Sequence, residues 1–411
     1  MRTFRLDHDT GQAVLNGKPY ILRGTNICIF RFFEDARRSQ KPWDNQWVRT
    51  LHRRFKSMHW NACRYCIGFP PDFWYDIADQ EGILIQDEFP IWFGGKSWPP
   101  HIKADQLIVE FTEWMRQRWN HPSVVIWDAQ NESRGQETGK AIQACRPLDL
   151  SNRPWDNGWA PAQAPTDCYE AHPYLFINKL FRLSKIPKVG PRLLNNPSPN
   201  KLGNPMIINE YAWLWLNRDG TPTTLTEAVY RNLLGQNATP EQRRYTYARY
   251  LAALTEYWRT QRRFAGVLHF CGLSYTRPKG QTCDNFTDVD TLTFEPNFYK
   301  YVRDAFAPVG LSIDHWAEQL PPAETHHFPV IVINDLYKPF NGTVRFQILR
   351  GRETLLDKAK PCRVAPLGKT SLTFEASTPE KPGPYTIVAE LIAPNADPVR
   401  SYRDFEILTP K

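Results

Sequence analysis

The chain has 411 residues, of which 41% are hydrophobic and 23% are charged. This length exceeds the size at which one hydrophobic core keeps growing, so about two domains are expected, and because no apolar run approaches the roughly 20 residues that a membrane span needs, insertion into a membrane is excluded. The formal net charge of +8 could attract an anionic partner, but the basic residues stand in short groups within helix-like segments, so the sequence does not predict a nucleic-acid partner.

Short apolar runs alternate with amphipathic helical patterns from residue 19 to residue 307, which is typical of βα units around a parallel sheet. Eight strands are predicted in this region, at residues 19–26, 59–64, 82–88, 123–131, 152–157, 167–174, 205–210 and 264–271. Apolar residues at helical spacing predict the clearest helices at residues 45–58, 72–81, 103–120 and 240–261. Eight strands close a (β/α)8 barrel, so this α/β fold is predicted for residues 1–307.

The pattern changes after residue 307. Residues 308–325 contain several prolines and are predicted to be a linker. Beyond them, strand-like runs follow one another without a helical pattern between them, at residues 328–334, 342–350, 370–374, 385–392 and 402–407. Turn residues separate these runs at intervals that fit a small β-sandwich, which is therefore predicted for residues 326–411.

Two predicted barrel strands end in a glutamate after an apolar run. The segment VVIWDAQNES contains Glu132, and the segment PMIINEY contains Glu210. The carboxyl ends of barrel strands form the catalytic rim of such folds, and an unpaired acid is costly to bury, so packing alone does not explain this pair. Glycoside hydrolysis uses one protonated and one ionised carboxyl group, so the pair indicates a glycoside hydrolase. A separation of roughly 5 to 5.5 Å would retain the configuration of the sugar, and a wider one would invert it.

The sequence predicts neither a metal site nor a cofactor. Its eight cysteines are too sparse for a disulfide scaffold, and Cys63 and Cys66 continue a predicted buried strand without further metal ligands at suitable spacing. The segment 94–97 resembles the end of a phosphate-binding loop but lacks the upstream glycine. Aromatic residues make up 13% of the chain, and their rings suit the apolar faces of sugars, so the expected partner is a carbohydrate.

Three stretches give the chain a resemblance to glycoside hydrolase family 2. They are LNGKPYILRGTN at the first strand, NACRYCIGFPPDFWYDIADQEGILIQDE through the second and third strands, and RWNHPSVVIWDAQNES at the fourth strand. The resemblance extends over residues 12–307 and implies a retaining barrel glycosidase whose acid/base and nucleophile close the fourth and seventh strands. The terminal β-sandwich is similar to the immunoglobulin-like domains that these enzymes carry after the barrel.

The resemblance also implies roles for individual residues. Glu132 matches the family's acid/base, Glu210 its nucleophile, and Asn131 the residue that hydrogen-bonds the sugar 2-hydroxyl. Arg64 matches the arginine behind the nucleophile, where a fixed cation keeps a carboxylate ionised, and Tyr174 occupies a position from which a tyrosine orients the nucleophile. Further substrate contacts are expected among the rim residues His172, Glu88, Trp92, Trp213 and Asn157. A purely structural role is left open for several of these, including His172 and Asn157.

The implied activity is that of a retaining, exo-acting hydrolase that cleaves a β-glycosidic bond, with β-galactoside specificity favoured. A β-mannosidase-like or β-glucuronidase-like specificity, or a non-catalytic carbohydrate-binding barrel, stays as the alternative. The positive net charge leaves an acidic glycan as a less favoured substrate. The sequence does not separate hydrolysis from transglycosylation, and it leaves a homo-oligomer possible.

The chain departs from the family pattern in several places. Barrel-like sequence already starts at residue 19, so the sugar-binding domain that usually precedes the barrel is expected to be absent. The second strand continues as Cys66-Ile67-Gly68 where relatives have a histidine, and the eighth strand, GVLHFCGLSY, lacks a tryptophan that many relatives have. The first residues contain no apolar stretch of the kind that a secretory signal needs, which leaves the location open between the cytoplasm and, after removal of a signal, the periplasm or the exterior.

Overall fold

The structure, a computed structural model, describes residues 2–190, 200–394 and 396–408, and the chain divides into two units. The first unit comprises Met1–Leu175, Gly190–Arg231 and Arg263–Glu295, and the second comprises Phe176–Val189, Asn232–Arg262 and Pro296–Lys411. The barrel strands belong to the first unit, and the β-sandwich belongs to the second.

The first unit contains a nearly closed parallel barrel. Its strands are β1 (Phe4–Leu6), β2 (Ala13–Leu15), β3 (Lys18–Tyr20), β4 (Leu22–Ile27), β5 (Ala62–Tyr65), β6 (Leu84–Glu88), β7 (Val124–Asp128), β8 (Trp155–Asp156), β9 (Tyr169–Ala171), β10 (Met206–Ile208), β11 (Gly266–Leu273), β12 (Phe286–Asp288) and β13 (Thr293–Phe294). Strands β4 to β11 form one sheet in the order β8-β7-β6-β5-β4-β11-β10-β9. At the remaining seam, the backbone N–H of Cys168 donates to the carbonyl of Trp155 at 2.8 Å, which joins the two edges of the sheet.

Local sequence sets the ends of the helices. The helices are α1 (Ile29–Phe32), α2 (Asn45–Ser57), α3 (Phe73–Glu81), α4 (Ala104–Arg118), α5 (Gln136–Cys145), α6 (Glu227–Leu234), α7 (Pro240–Thr260) and α8 (Pro296–Ala305). The carboxylate of Asp44 caps α2 by accepting two backbone N–H groups, and Thr239 and Gln242 form a capping box at the start of α7. Gly82 follows the last residue of α3 and caps the helix, and its φ of 76° lies in the left-handed region that glycine tolerates. Within the described ranges, no helix combines the length and apolar character needed to cross a membrane.

The fold class predicted from the sequence is confirmed. Each of the eight predicted barrel strands overlaps one of the strands β4 to β11, and the predicted helices coincide with α2, α3, α4 and α7. The hydrogen-bonded ladders end earlier than predicted on the fourth, fifth and sixth barrel strands, at Asp128, Asp156 and Ala171. The chain enters the loops there, at the carboxyl ends of the strands, where the active sites of such barrels lie.

A small antiparallel sheet, β1-β2-β3, fills the amino-terminal end of the barrel. Its apolar side chains share one buried cluster with residues at the beginnings of barrel strands, among them Phe4, Leu6, Ala13, Leu22, Ala62, Leu84, Ile207 and Ala265. Burial of these apolar side chains is the main stabilising force at this end. The carboxyl ends of the strands are left to form a pocket.

The second unit contains a two-sheet β-sandwich. Its strands are β14 (Val309–Ile313), β15 (Gln319–Leu320), β16 (Thr325–Asn334), β17 (Phe340–Arg350), β18 (Glu353–Val364), β19 (Lys369–Ser377), β20 (Gly383–Ile392) and β21 (Val399–Ile407). They form a three-stranded sheet, β14-β16-β19, and a five-stranded sheet, β15-β21-β20-β17-β18. Apolar residues from both sheets form one core, which includes Phe328, Phe346, Phe374 and Tyr385.

The predicted linker at residues 308–325 differs from the structure. Strand β14 lies within it and pairs antiparallel with β16, and its residues Leu311 and Ile313 belong to the sandwich core. The short run is hard to recognise because Pro308 precedes it and a polar segment follows. Strand β18 was also not predicted, because it is an edge strand whose exposed, charged side chains hide the alternation of a half-buried strand.

Gly24 marks a close approach between two barrel strands. It lies in β4 opposite Ala62 of β5, and a β-carbon at position 24 would lie 1.7 Å from the carbonyl oxygen of Ala62. Both residues belong to the parallel ladder, so neither backbone can move away without disturbing the neighbouring strands. The close approach requires glycine at this position.

Gly24→Ala is therefore expected to lower the free energy of unfolding by about 2 kcal/mol or more, or to prevent folding, because the added methyl group collides with backbone. Gly190→Ala is the matched control, since a β-carbon added there would have no described atom within 4 Å and the φ of Gly190 is not positive. Urea unfolding followed by tryptophan fluorescence measures both variants. Equal stability of the two variants would contradict the close approach.

Candidate active site

A pocket of about 250 Å³ lies at the carboxyl ends of the barrel strands. Its lining includes Glu132 and Glu210, the two predicted catalytic residues, together with Asn131, Tyr174, Trp92 and Trp213. These residues come from loops that follow β6, β7, β9 and β10. The barrel therefore brings together side chains that are far apart in the sequence.

Glu132 and Glu210 face each other across this pocket. Glu132 lies four residues beyond the end of β7, and Glu210 lies two residues beyond the end of β10. A carboxylate oxygen of Glu132 and one of Glu210 lie within 4.8 Å of each other. The backbone of Glu132 has a positive φ of 40°, a conformation that a β-carbon disfavours and that occurs preferentially at functional sites.

Arg64 lies beneath the pocket and binds several acids at once. It is fully buried in β5, and its guanidinium donates to Glu210 Oε1 at 2.7 Å and to Asp128 Oδ2 at 2.9 Å. It also forms ion pairs with Glu88 and Glu170. Burial by itself lowers the pKa of Arg64, but the surrounding carboxylates outweigh burial and hold it well above its ordinary value. Arg64 is therefore a permanent cation next to Glu210.

The acids around Arg64 outnumber the positive charge available to them. Burial raises the pKa of Glu88 and Asp156 well above their ordinary values and that of Asp128 to about 6. Glu170 differs, since His172 and Arg64 overcome the effect of burial and lower its pKa to about 2. Protons retained on Glu88 and Asp156 relieve the repulsion between the acids, and Glu170 remains ionised.

His172 connects Glu132 to the buried acids. Its Nδ1 lies 3.0 Å from Glu132 Oε1, and its Nε2 lies 2.9 Å from Glu170 Oε2. Burial disfavours the charged ring, but the carboxylates of Glu170 and Glu210 raise the pKa of His172 well above its ordinary value. The imidazolium therefore donates to an acid from each nitrogen. Trp92 completes the contacts of Glu132 by donating from Nε1 to Oε2 at 3.2 Å.

Tyr174 holds the second oxygen of Glu210. Its hydroxyl donates to Glu210 Oε2, while Arg64 binds Oε1. Burial and the nearby carboxylates raise the pKa of Tyr174 well above its ordinary value, so the phenol keeps its proton and remains a donor. The ring of Trp213 packs edge-on against Tyr174 with centroids 5.0 Å apart, which fixes the phenol in this position.

Of the remaining predicted substrate contacts, Asn131 lies in the pocket lining, and Glu88 and Asn157 do not. Asn131 lines the pocket and accepts from Arg64 through Oδ1 at 3.0 Å. Glu88 is fully buried, where it pairs with Arg64 and accepts the backbone N–H of Ile67, so it does not reach the pocket. Asn157 also lies outside the pocket lining, because its amide bonds internally to the carbonyl of Pro161 and to Gln130.

Two further charged residues at the site were not predicted. Glu170, His172 and Tyr174 are two residues apart from one another along the chain, so in an extended segment their side chains lie on one face. This spacing could have identified Glu170 as a site residue. Arg31 lies in the apolar segment IFRF of α1, where the pattern predicts packing rather than a site. It lines the same pocket as Glu132 and Glu210.

Three groups of acids and histidines among the described residues are close enough to hold a metal ion. They are Glu132 with His172 and Glu210, Asp128 with Asp156 and Glu170, and Asp76 with Asp79 and His121. In the first group the hydrogen bonds already account for both nitrogens of His172, and a protonated imidazole has no lone pair to offer a metal. This group is therefore better suited to proton transfer than to metal binding.

Residues 7–241 match the family model of the TIM barrel domain of glycosyl hydrolases family 2. Among curated proteins, a β-galactosidase from Oenococcus oeni is 27% identical over 170 residues, which is 40% of this chain and 16% of that protein. A β-galactosidase from Vibrio vulnificus strain YJ016 is 26% identical over 215 residues, which is 51% of this chain and 20% of that protein. These matches span a fifth or less of the length of the relatives.

Solved structures share the fold over nearly the whole chain. The exo-chitosanase CsxA of Amycolatopsis orientalis aligns with a TM-score of 0.69 at 14% sequence identity, covering 99% of this chain and 51% of that chain. An FMN-binding β-glucuronidase from Facaelibacterium prausnitzii L2-6 aligns with a TM-score of 0.54 at 16% identity, covering 99% of this chain and 59% of that chain. At these identities the likeness concerns the fold alone.

His172→Gln is expected to destabilise the protein most at low pH. Because the pKa of His172 is raised in the folded state, its contribution is fully present below the unfolded pKa of about 6.5 and is lost as the pH rises through the folded value. The difference in unfolding free energy between wild type and variant should thus shrink above pH 6.5, by at most about 1.4 kcal/mol per pH unit for one proton.

Urea unfolding at several pH values between 6 and 9 measures this difference. His8→Gln is the control, because His8 is exposed and its substitution should change stability little at any pH. A difference for His172→Gln that does not vary with pH would show that the folded protein does not hold an extra proton at His172.

Proposed function

This chain belongs to glycoside hydrolase family 2, and on that premise we propose that it is a retaining, exo-acting β-glycosidase that works through a covalent glycosyl-enzyme intermediate. The observation that carries the proposal is the pair of carboxylates, Glu132 and Glu210, which lie within 4.8 Å of each other in one pocket. Retaining glycosidases have their two carboxyl groups about 5 to 5.5 Å apart, whereas inverting enzymes need about 6.5 to 9.5 Å to accommodate a water molecule. The short separation supports direct attack by a carboxylate.

The surroundings of the two acids favour different roles for them. Glu210 accepts one hydrogen bond from the positively charged guanidinium of Arg64 and another from the hydroxyl of Tyr174, and both bonds stabilise a carboxylate. Such a group suits the nucleophile. Glu132 contacts the side chains of His172 and Trp92 and has no arginine or lysine among the described contacts, which suits a group that gains and loses a proton.

The proposed reaction has two steps with opposite proton transfers. In the first step an oxygen of Glu210 attacks the anomeric carbon, the bond to the glycosidic oxygen breaks, and Glu132 protonates that oxygen so that the aglycone leaves as an alcohol. In the second step Glu132 accepts a proton from water, the water oxygen attacks the anomeric carbon, and Glu210 is released as a carboxylate. The two inversions at the anomeric carbon retain its configuration.

His172 supports the second half of this cycle. Once Glu132 has given up its proton, its carboxylate lies 3.0 Å from the imidazolium nitrogen of His172. The positive charge stabilises the ionised form that is needed to accept a proton from water. Glycosylation removes the negative charge of Glu210, and this loss also stabilises the ionised form of Glu132.

The size of the pocket supports exo-acting cleavage of a single sugar. Its volume of about 250 Å³ is below the roughly 300 to 1,000 Å³ of pockets for drug-sized ligands, so it accommodates about one sugar ring. The indoles of Trp92 and Trp213 provide aromatic surface for the apolar face of that ring. Among neutral sugars we favour a β-galactoside, because the curated relatives at 26–27% identity are β-galactosidases.

A panel of aryl β-glycosides tests the proposal, with galactoside, glucoside, mannoside and glucuronide in separate assays. Wild type is expected to cleave at least one of them with retention. Glu210→Ala should abolish cleavage, and Glu132→Ala should lower kcat by about 10² to 10⁴-fold through loss of general acid–base catalysis. Azide, which needs no general base, should restore turnover of Glu132→Ala and yield a β-glycosyl azide.

The matched control is Glu113→Ala, since Glu113 is an exposed residue of α4 that contacts only Arg116 among the described ion pairs. Its activity should equal that of wild type. A glycosyl product of inverted configuration would refute the double displacement, and full activity of Glu132→Ala or Glu210→Ala would refute the assignment of that residue.

Tyr174→Phe tests the alignment of the nucleophile. Removal of a hydrogen bond to a charged group costs about 1.5 to 3 kcal/mol, so kcat is expected to fall by roughly 10 to 100-fold. KM should change little, because the lost bond is to Glu210 and not to the sugar. Steady-state kinetics with an aryl glycoside measure both constants, and an increase in KM at constant kcat would assign Tyr174 to substrate binding instead.

A further inference from the structure

The pocket contains a buried arginine that the proposed reaction does not use. Arg31 lies in α1, just after the first barrel strand, and only 6% of its surface is exposed. It lines the same pocket as Glu132 and Glu210, and among the described residues of that lining it is the one arginine or lysine. A cation placed next to the reacting sugar requires an explanation, because burial of a charge is costly.

Arg31 has no acidic partner among the described residues, unlike the buried Arg64, Arg118 and Arg153 of this unit, which each pair with an aspartate. Arg64 is surrounded by carboxylates, and Arg218 pairs with Asp35 and Asp284. No carboxylate lies within 4.0 Å of Arg31 in the described ranges. Its guanidinium instead donates from Nη1 to the hydroxyl of Thr282 at 2.7 Å. Within the part of the chain that the structure describes, this positive charge thus has no carboxylate partner.

Aromatic rings hold the guanidinium in place. Its central carbon lies 5.5 Å from the centroid of Trp92, 5.8 Å from that of Phe270 and 5.9 Å from that of Tyr275. Cation–π attraction stabilises the charge without neutralising it. The rings also lower the local dielectric constant, which strengthens the attraction of Arg31 for any anion that enters the pocket. Trp92 also donates a hydrogen bond to Glu132, so the same indole contacts both Arg31 and that acid.

We propose that Arg31 binds the carboxylate of a hexuronic acid, so that the natural glycone is a β-hexuronide and, in the galacto configuration favoured above, a β-galacturonoside. This inference rests on the proposed hydrolase function of the same pocket. A planar guanidinium matches a carboxylate with two parallel N–H···O bonds, and such charge-assisted bonds are about twice as strong as neutral ones. The carboxylate of the sugar supplies the counter-charge that the described residues do not give Arg31.

The positive charge of Arg31 argues against an amino sugar and against a neutral sugar as the natural glycone. An amino sugar would bring its ammonium group close to Arg31, and the like charges would repel each other. A neutral sugar would displace water from the guanidinium without providing a negative charge, so part of the desolvation cost would remain uncompensated. Charge complementarity in the pocket therefore favours an acidic glycone.

Matched pairs of aryl glycosides test the proposal, namely β-galacturonide against β-galactoside and β-glucuronide against β-glucoside. Wild type is expected to cleave the acidic member of at least one pair with a kcat/KM about 10 to 100-fold higher, the range expected for a hydrogen bond to a charged group. Arg31→Gln should abolish this preference, mainly through KM, because it lowers kcat/KM for the acidic member about 10 to 100-fold more than for the neutral member. Arg31→Lys should retain part of the preference, since it keeps the charge and loses the planar geometry.

Arg277→Gln is the control, because Arg277 is an exposed arginine that pairs with Glu34 and does not line the pocket. It should behave as wild type with both members of each pair. A wild-type preference for the neutral sugars, or an equal loss of activity on both members in Arg31→Gln, would overturn the role of Arg31.

Ligand binding separates this inference from the proposed catalysis, and the comparison of two ligands on wild type does not require a folded variant. Free D-galacturonate is expected to raise the Tm of wild type more than D-galactose does, and to lose this advantage in Arg31→Gln. If no aryl glycoside is cleaved while galacturonate still stabilises wild type selectively, the hydrolase proposal fails and the binding role of Arg31 stands. If galacturonate stabilises wild type no more than galactose, the acidic glycone is refuted even where neutral glycosides are cleaved.

Discussion

The buried guanidinium of Arg64 is the interaction on which the rest of the site depends. It lies in β5 and reaches carboxylates on or just after four other barrel strands, those of Glu88, Asp128, Glu170 and Glu210. Removal of this single cation would leave several carboxylates close together in a region that water does not reach, at a cost of several kcal/mol. The barrel can therefore hold the carboxylate of Glu210 at its rim only because Arg64 balances the charges of the acids beneath it.

This arrangement also gives the two proposed catalytic acids different surroundings. Glu210 belongs to the group of acids around Arg64, whereas Glu132 reaches that group only through the ring of His172. The chain thus surrounds two identical side chains with different charges, and the difference decides which of them is better suited to attack carbon and which to transfer a proton. Their positions on opposite sides of one pocket follow from the strands that carry them.

Much of the fold could be predicted from the sequence, because it depends on patterns that are local. Alternation of short apolar runs with helical periodicity identified all eight barrel strands, and the acids that end the fourth and seventh strands stood out against those runs. Residues whose roles depend on distant partners could not be assigned in this way. Asn157 and Glu88 end strands as Glu132 does, and only the folded structure shows that internal hydrogen bonds and ion pairs keep them away from the pocket.

Arg31 illustrates the opposite case, a polar residue concealed by apolar neighbours. The apolar residues around it in the sequence predict that it packs in the core, and its contacts with aromatic rings agree with that prediction. The positions of the carboxylates in the folded chain, however, indicate a role in binding. Arg64 has more carboxyl groups around it than one positive charge can keep ionised, while Arg31 in the same unit has no carboxylate among its described contacts. A carboxylate placed beside Arg31 instead of Arg64 would have improved the charge balance at both arginines. The unequal distribution makes sense if the missing anion arrives with the substrate, because the energy of neutralising Arg31 is then available for binding.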